Sequence, residues 1–509
     1  MKQDVLAFFL PIALFAALSY FLQVQVLFSP DVGYLIYAAN QLLAGGKYAA
    51  DIFETNPPMI LYLYMPICFL HKWLHIEIIL LARIYGLFLT SVSSLCCFVL
   101  LKKLIEPNDR IYFKVLFYTI LVVYFILPMN DILQREHILL IALLPYLLSA
   151  ALRLENKPIS TFSAVVIGVC AGLGFALKPY FLVTFCLIEG FFIIKKRQIF
   201  AWVRIESLII SSILVLYFCS IWVFQPDYLR IILPLVSRYY LPFIKGPLIN
   251  ILLLYSIPFC LAMLLSYALT YKQDKYRTIG TILFLGLLGM TIAIFITQAP
   301  WYYHVLPAFG LAFIFLMHVV GQALQNRLIF FSMVVMAGFV VFGPIPYCYE
   351  RYRIMVESTK NSSRNKLIAY INNSSKQHSI FCFCTGTICC FPLVYETQSV
   401  HAQRFSQFWW YRGLRFSEKY SVYPDQVIKD RTFIINAIAA DLNHYRARWV
   451  IIDNNDFNIA EDIDVNLISY LSENKQFRDA WQNYDVSTRI DNYTIYERKG
   501  NKENSFSSR

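Results

Sequence analysis

The chain has 509 residues, 58% of them hydrophobic and only 15% charged, with a net charge of +12 at pH 7 and a mean hydropathy of +0.54. Soluble domains carry roughly a quarter charged residues, so this composition argues against an ordinary soluble enzyme. The positive residues sit in short clusters between apolar runs, a distribution that suits membrane orientation rather than nucleic-acid binding.

Taken in order, the sequence predicts a polytopic α-helical membrane protein of about eleven transmembrane helices, each needing roughly 20 apolar residues, followed by a C-terminal α/β domain. Residues 5–28 form the first span. Its n-region is weak and no small-residue cleavage site follows, so an uncleaved anchor is expected. Residues 29–77 form the first outer loop. Within it, Asp31 to Pro58, DVGYLIYAANQLLAGGKYAADIFETNPP, is where the apolar chain first turns polar and acidic. YLIYAANQLLAGG has helical spacing and ends in a Gly pair, a stop signal. Pro57-Pro58 then restarts a helix, MILYLYMPICFLHKWLHI, which is short and ends in His71, Lys72, Trp73 and His75. An interfacial helix lying flat is expected there.

Ten more spans are predicted, at about 78–101, 111–128, 137–152, 161–177, 180–194, 205–224, 248–270, 279–298, 302–320 and 328–346. Lys102, Lys103, Arg110 and Lys114 share one side with Arg153 and Lys157, with Lys195, Lys196 and Arg197, with Lys272, Lys275 and Arg277, and with Arg327. The positive-inside rule assigns these clusters to the cytoplasm. Asp31, Asp131, Lys178, His304 and everything after residue 346 then face outward. The transmembrane domain is thus read as 1–346 and the outer α/β domain as 347–500, where the runs SIFCFC, RWVIID and TIYER alternate with helical patterns such as DVNLISYLSENKQF. Residues 501–509 form a polar tail, expected to be disordered.

Seven of the twelve cysteines lie within or beside spans, where a thiol is a small hydrophobe. Of the C-terminal five, Cys348, Cys382, Cys384, Cys389 and Cys390, the last four are spaced CxC then CC, unlike the paired CxxC of a zinc site. In an oxidising compartment this spacing permits a disulfide without demanding one.

Ionisable residues at span ends are the informative ones in a chain that otherwise avoids them. Asp31, beside Tyr34 and Tyr37, can accept a proton from a hydroxyl, or it can simply cap the helix that follows. Asp131 opens DILQREH, where Arg135, Glu136 and His137 follow closely. It too can be a cap, with Glu136 compensating Arg135. Lys178, in GFALKPYFLV, can meet a phosphate or snorkel to water. His304, in WYYHVLP, can serve a site or ride in an aromatic belt, and Arg83 can snorkel or carry charge for a site. Arg230, Arg238, Tyr239 and Tyr240 occupy the outer loop before the eighth span and could line a groove. There is no P-loop, no GxGxxG before a helix, no HExxH and no GxSxG, so nucleotide-phosphate chemistry is not suggested.

These pieces together resemble the GT-C superfamily of polyprenyl-phosphate-sugar-dependent glycosyltransferases, in particular the branch of protein O-mannosyltransferases and the lipid A aminoarabinose transferase. The resemblance is carried by the Asp31–Pro58 stretch, the acid of the second outer loop, GLGFALKPY and WYYHVLP, over residues 1–346. It implies that Asp31 is the catalytic acid of the first loop and Asp131 that of the second. Lys178 would meet the donor phosphate, with His304 near the same phosphate and Arg83 as a further cation. Glu54, Glu136 and His137 would support the loop and the acceptor. Two departures are visible: Val32 stands where the family often has a second acid, and Asn56 where it often has a lysine before the two prolines. The implied reaction inverts the anomeric centre and uses a polyprenyl-phosphate sugar donor. Its acceptor could be lipid A, a surface polymer or a protein. No cofactor is required; the acids could hold a divalent metal, but a base needs none. The implied location is the inner membrane of a bacterium, with the active site and C-terminal domain on the outer side. The rivals are a transporter or flippase of a lipid-linked sugar and a non-catalytic membrane subunit.

Overall fold

The structure, a computed structural model, describes residues 2–253, 256–272, 274–299, 301–325, 344–360, 362–373, 378–454 and 467–500. Its contacts divide the chain into two compact units. One holds Met1–Leu27, Leu80–Ser220 and Lys245–Val356; the other holds Phe28–Ile79, Ile221–Ile244 and Glu357–Arg509. The segment read as the first outer loop thus groups with the C-terminal region, and so does the stretch 221–244.

The first unit is helical. Its elements include Lys2–Val24, Ile78–Leu104, Arg110–Leu121, Arg135–Leu154, Thr161–Phe175, Leu182–Lys196, Ile205–Phe224, Ser256–Thr270, Arg277–Thr297 and Tyr302–Gln325. Among the described residues five helices are long and apolar enough to cross a membrane: Ile78–Leu104, Arg135–Leu154, Ile205–Phe224, Arg277–Thr297 and Tyr302–Leu324. The chain is a polytopic α-helical membrane protein, as its composition predicts. The eleventh expected span, 328–346, falls almost wholly outside the described residues, and the tail 501–509 falls wholly outside them.

Burial sorts these helices. In Arg135–Leu154 89% of the apolar window is buried, against 17% in Ile205–Phe224. The former is therefore the core of the bundle, while the latter has its apolar surface left for lipid. Helix Thr161–Phe175 closes on the core helix at Gly174, where an added Cβ would sit 2.8 Å from the Ala142 Cβ. Glu189, buried within the unit, is paired. Glu189 accepts from Arg204 at 2.6 and 2.7 Å, from Tyr146 at 2.6 Å and from Ser207 at 3.0 Å. Breaking such a pair would strand a charge in low dielectric.

The second unit carries a five-stranded sheet: β1 (Ser379–Phe383), β2 (Val400–His401), β3 (Trp449–Asp453), β4 (Tyr484–Ile490) and β5 (Tyr493–Arg498), in the order β2-β1-β3-β5-β4. β1 runs parallel to β2 and β3, whereas β5 runs antiparallel to β3 and β4. The two central strands β1 and β3 are buried nearly throughout, so they read as continuous apolar runs. The edge strand β4 is polar and interrupted by a bulge between Val486 and Thr488, which protects an open edge. Helix Pro30–Leu43 ends ahead of Gly45, whose φ of +92° needs a residue without Cβ. A bridge between Phe53 and Phe405, and a bond from Arg404 Nη1 to the Ala49 carbonyl at 2.9 Å, fasten the first outer loop to the C-terminal region. Cys382 and Cys390 form a disulfide.

Candidate active site

In the first unit the polar residues gather at span ends. The chain leaves Arg110–Leu121 through a π-helical stretch, Val122–Ile126, and a 3-10 turn, Met129–Asp131. Met129 (φ +53°) and Leu133 (φ +67°) are left-handed without being glycine, at a cost of about 1–2 kcal/mol each. His137 holds this turn. Its Nδ1 accepts from the Leu133 amide at 3.2 Å, and its Nε2 donates to the Tyr124 carbonyl at 2.9 Å. Gly86 lets helix Ile78–Leu104 approach the same turn, since a Cβ there would lie 2.8 Å from Ile132 Cγ2. Asp131, at the end of the 3-10 turn, pairs with Arg351 at 2.8 Å, and the guanidinium lies over the Tyr302 ring at 4.0 Å.

Lys178 precedes Pro179, which forces extended backbone on it (φ −149°, ψ 135°) and ends the preceding helix. Its ammonium reaches Glu136 Oε1 at 2.5 Å, with the lysine side chain 9% and the glutamate 1% exposed. His304 Nε2 lies 3.8 Å from the same oxygen. Arg135 and Lys178 flank the Tyr303 ring at 5.8 and 6.0 Å. A lysine ammonium and an imidazole thus approach one carboxylate oxygen, with Arg135 on the neighbouring tyrosine ring. Glu136 Oε2 and His304 Nδ1 are buried with no hydrogen-bond partner among the described residues. Arg83 is engaged at the end of the first helix, donating to the Gln23 carbonyl at 3.1 Å.

In the second unit Asp31 lies in the first turn of helix Pro30–Leu43 but is not its N-cap, which is Ser29. Its Oδ1 accepts from Thr387 Oγ1 at 2.8 Å. Glu54 uses Oε1 to hold its own turn, accepting from Thr55 Oγ1 at 3.0 Å, from the Asn56 amide at 2.9 Å and from the Asn56 side chain. That turn is fastened by Tyr48, donating to the Asn56 carbonyl at 2.9 Å, and by Tyr228, donating to the Thr55 carbonyl at 3.3 Å. Arg238 and Tyr239 are committed to Asp430 at 2.9 and 2.8 Å.

His401 packs edge-on against Tyr37 at 4.8 Å, beside the helix that carries Asp31. Burial pushes its imidazole down to about 4 from the ordinary 6.5, against the bond from Nε2 to the Phe405 carbonyl at 3.1 Å, which works the other way. The folded form therefore keeps His401 neutral where the unfolded chain takes up a proton. Its contribution to stability is complete above pH 6.5 and lost as pH falls to about 4, a loss of at most about 3 kcal/mol. Thermal unfolding of the lipid-embedded chain between pH 7 and 4.5 should show this decline. His401→Gln, which keeps a donor for Phe405, should flatten it, and identical slopes would remove His401 as the cause.

The structure brings together Glu136, Lys178 and His304. Glu136 pairs with Lys178, so Lys178 is not a lone ammonium. Arg351 and Thr387 did not stand out in the sequence. They lie 220 and 356 residues from their acids, and no local pattern marks them. Among the described residues no three His, Cys, Asp or Glu side chains gather as a metal centre.

Comparison of the sequence with protein-family models finds no match, and comparison with curated proteins finds none. Solved structures do match. ArnT from Cupriavidus metallidurans, crystallised bound to undecaprenyl phosphate, is similar with a TM-score of 0.51 and 12% identity, over 96% of this chain and 98% of that one. The archaeal oligosaccharyltransferase AglB from Archaeoglobus fulgidus, in complex with an inhibitory peptide and a dolichol-phosphate, is found with a TM-score of 0.48 and 10% identity, over 99% of this chain and 76% of that one. The match to ArnT runs nearly the full length of both chains, so the likeness is one of whole fold. At such identity no residue role travels with it.

Proposed function

We propose that this chain is an integral membrane glycosyltransferase that moves a sugar from a polyprenyl-phosphate donor to an acceptor on the outer face of a bacterial inner membrane. The observation that carries this reading is the likeness to ArnT, a protein of the same fold crystallised with undecaprenyl phosphate. The buried Glu136–Lys178 pair with His304 beside it supports it, because a buried charged group in a membrane protein marks function by default. The Cys382–Cys390 disulfide supports an outward-facing second unit, since such bonds persist in oxidising compartments.

In this reading Asp31 takes the proton from an acceptor hydroxyl, and the oxygen attacks the anomeric carbon. The bond from that carbon to the lipid phosphate breaks in the same displacement, so the centre inverts. The phosphate leaves as a stable anion and needs no general acid. Lys178, already oriented by Glu136, stabilises the charge that grows on it; a cation fixed in place beforehand costs no reorganisation during the reaction. The Nδ1 of His304 and Oε2 of Glu136 offer unmet hydrogen-bonding capacity, suited to a phosphate oxygen and a sugar hydroxyl respectively. Asp131, held by Arg351, and His137 keep the turn beside this cluster in shape, while Glu54 shapes the first outer loop.

The test is incubation of the full chain in lipid with a labelled polyprenyl-phosphate sugar and an acceptor mixture of lipid A, surface polymer and envelope protein. Label is expected to move covalently to an acceptor as free polyprenyl phosphate accumulates. Movement across the bilayer without transfer would instead identify a transporter, and neither outcome a non-catalytic subunit.

A further inference from the structure

Asp31 sits at the second position of its helix, where a carboxylate is free to turn about two side-chain torsions unless something holds it. The Thr387 hydroxyl holds it, donating at 2.8 Å from a residue 356 positions away. Thr387 opens a short 3-10 turn, Thr387–Cys389, inside the loop that the Cys382–Cys390 disulfide closes. The chain just beyond that loop grips the helix. Tyr395 donates to the Gly33 carbonyl at 3.0 Å, and the Tyr34 ring meets Phe391 edge-on at 5.5 Å. Tyr37 donates to the His401 carbonyl at 3.3 Å.

We propose that Thr387 is a positioning residue: its hydroxyl sets the orientation of the Asp31 carboxylate, so that the disulfide-closed loop of the C-terminal region governs the base of the transfer reaction. The inference rests on the reading of Asp31 as that base. It gives the C-terminal region a task in the chemistry, and a base displaced by about 1 Å is enough to lose up to 10²-fold in rate.

The experiment measures sugar transfer by the full chain in lipid, with a polyprenyl-phosphate sugar as donor. Thr387→Val keeps the shape and removes the donor hydrogen. It is expected to lower kcat about 10-fold while leaving the donor KM within about two-fold, the pattern of an interaction that acts in the transition state. Thr387→Ser, which keeps the hydroxyl, is expected to restore most of the rate. In an Asp31→Asn background Thr387→Val is expected to change the residual rate no further, because two residues acting through one group are not additive. A Thr387→Val chain at full rate, with Asp31→Asn inactive, overturns this inference alone. Equal losses in the Val and Ser variants, or losses that multiply with that of Asp31→Asn, do so as well. A wild-type chain that transfers no sugar overturns the proposed function and this inference with it.

Discussion

Asp31→Asn is expected to lower the rate of sugar transfer by about 10²–10⁴-fold, the range that a positioned general base contributes. The substitution is nearly isosteric, and the Asn Oδ1 can still accept from Thr387 as the Asp Oδ1 does at 2.8 Å. Helix Pro30–Leu43 is held by Tyr34, Tyr37 and Gly33 as well, so the fold should survive. What disappears is basicity alone. The donor KM should therefore change little while kcat collapses, and initial rates across donor concentrations separate the two. A rate within a few-fold of wild type would remove Asp31 from the mechanism. Glu54, a further acid of this stretch, is no substitute. Glu54 commits Oε1 to the Thr55 hydroxyl and to both donors of Asn56, so its neutralisation is a change to the turn before it is a change to chemistry.

The division of labour between those two acids could not be read from the sequence, although much around them could. The helix over YLIYAANQLLAGG shows in its spacing and its Gly stop, and the spans show in hydropathy, because both are local properties of the chain. Strands β1, β3 and β5 are equally legible, as short β-like runs in a polar region. Strand β4, YDVSTRI, is not: an edge strand faces water and carries residues that would suit a loop. The candidate site was half visible. Rare charges at span ends marked Asp31, Glu136, Lys178 and His304. Their partners depend on how distant segments pack. The Glu136–Lys178 pair closes over 42 residues and needs helices Arg135–Leu154 and Thr161–Phe175 to lie side by side. The pairing of Phe53 with Phe405 fastens the first outer loop to a region some 350 residues on, which no periodicity announces.

The second large effect concerns Lys178, and the ion pair decides how it must be tested. Lys178→Ala alone would strand the Glu136 carboxylate, which is 1% exposed and bonded to the lysine at 2.5 Å. Removing one partner of a buried pair costs about 3–5 kcal/mol, so this variant is expected to unfold at lower temperature and to lose donor use together. Such a result cannot tell a phosphate ligand from a structural cation. The double variant Lys178→Met with Glu136→Gln separates them. It removes both charges at similar volume, a replacement that is often neutral for stability, so thermal unfolding should return close to wild type. The donor, however, would still lack the cation for its phosphate. A hydrogen bond to a charged group contributes about 1.5–3 kcal/mol, so the donor dependence of transfer, kcat/KM, should remain depressed about 10- to 150-fold. Recovery of both stability and donor use in the double variant would reduce Lys178 to a counter-ion for Glu136. Recovery of stability alone would assign the ammonium to the donor, and Glu136 to keeping that ammonium aimed in a medium where an unpaired lysine would otherwise turn toward water.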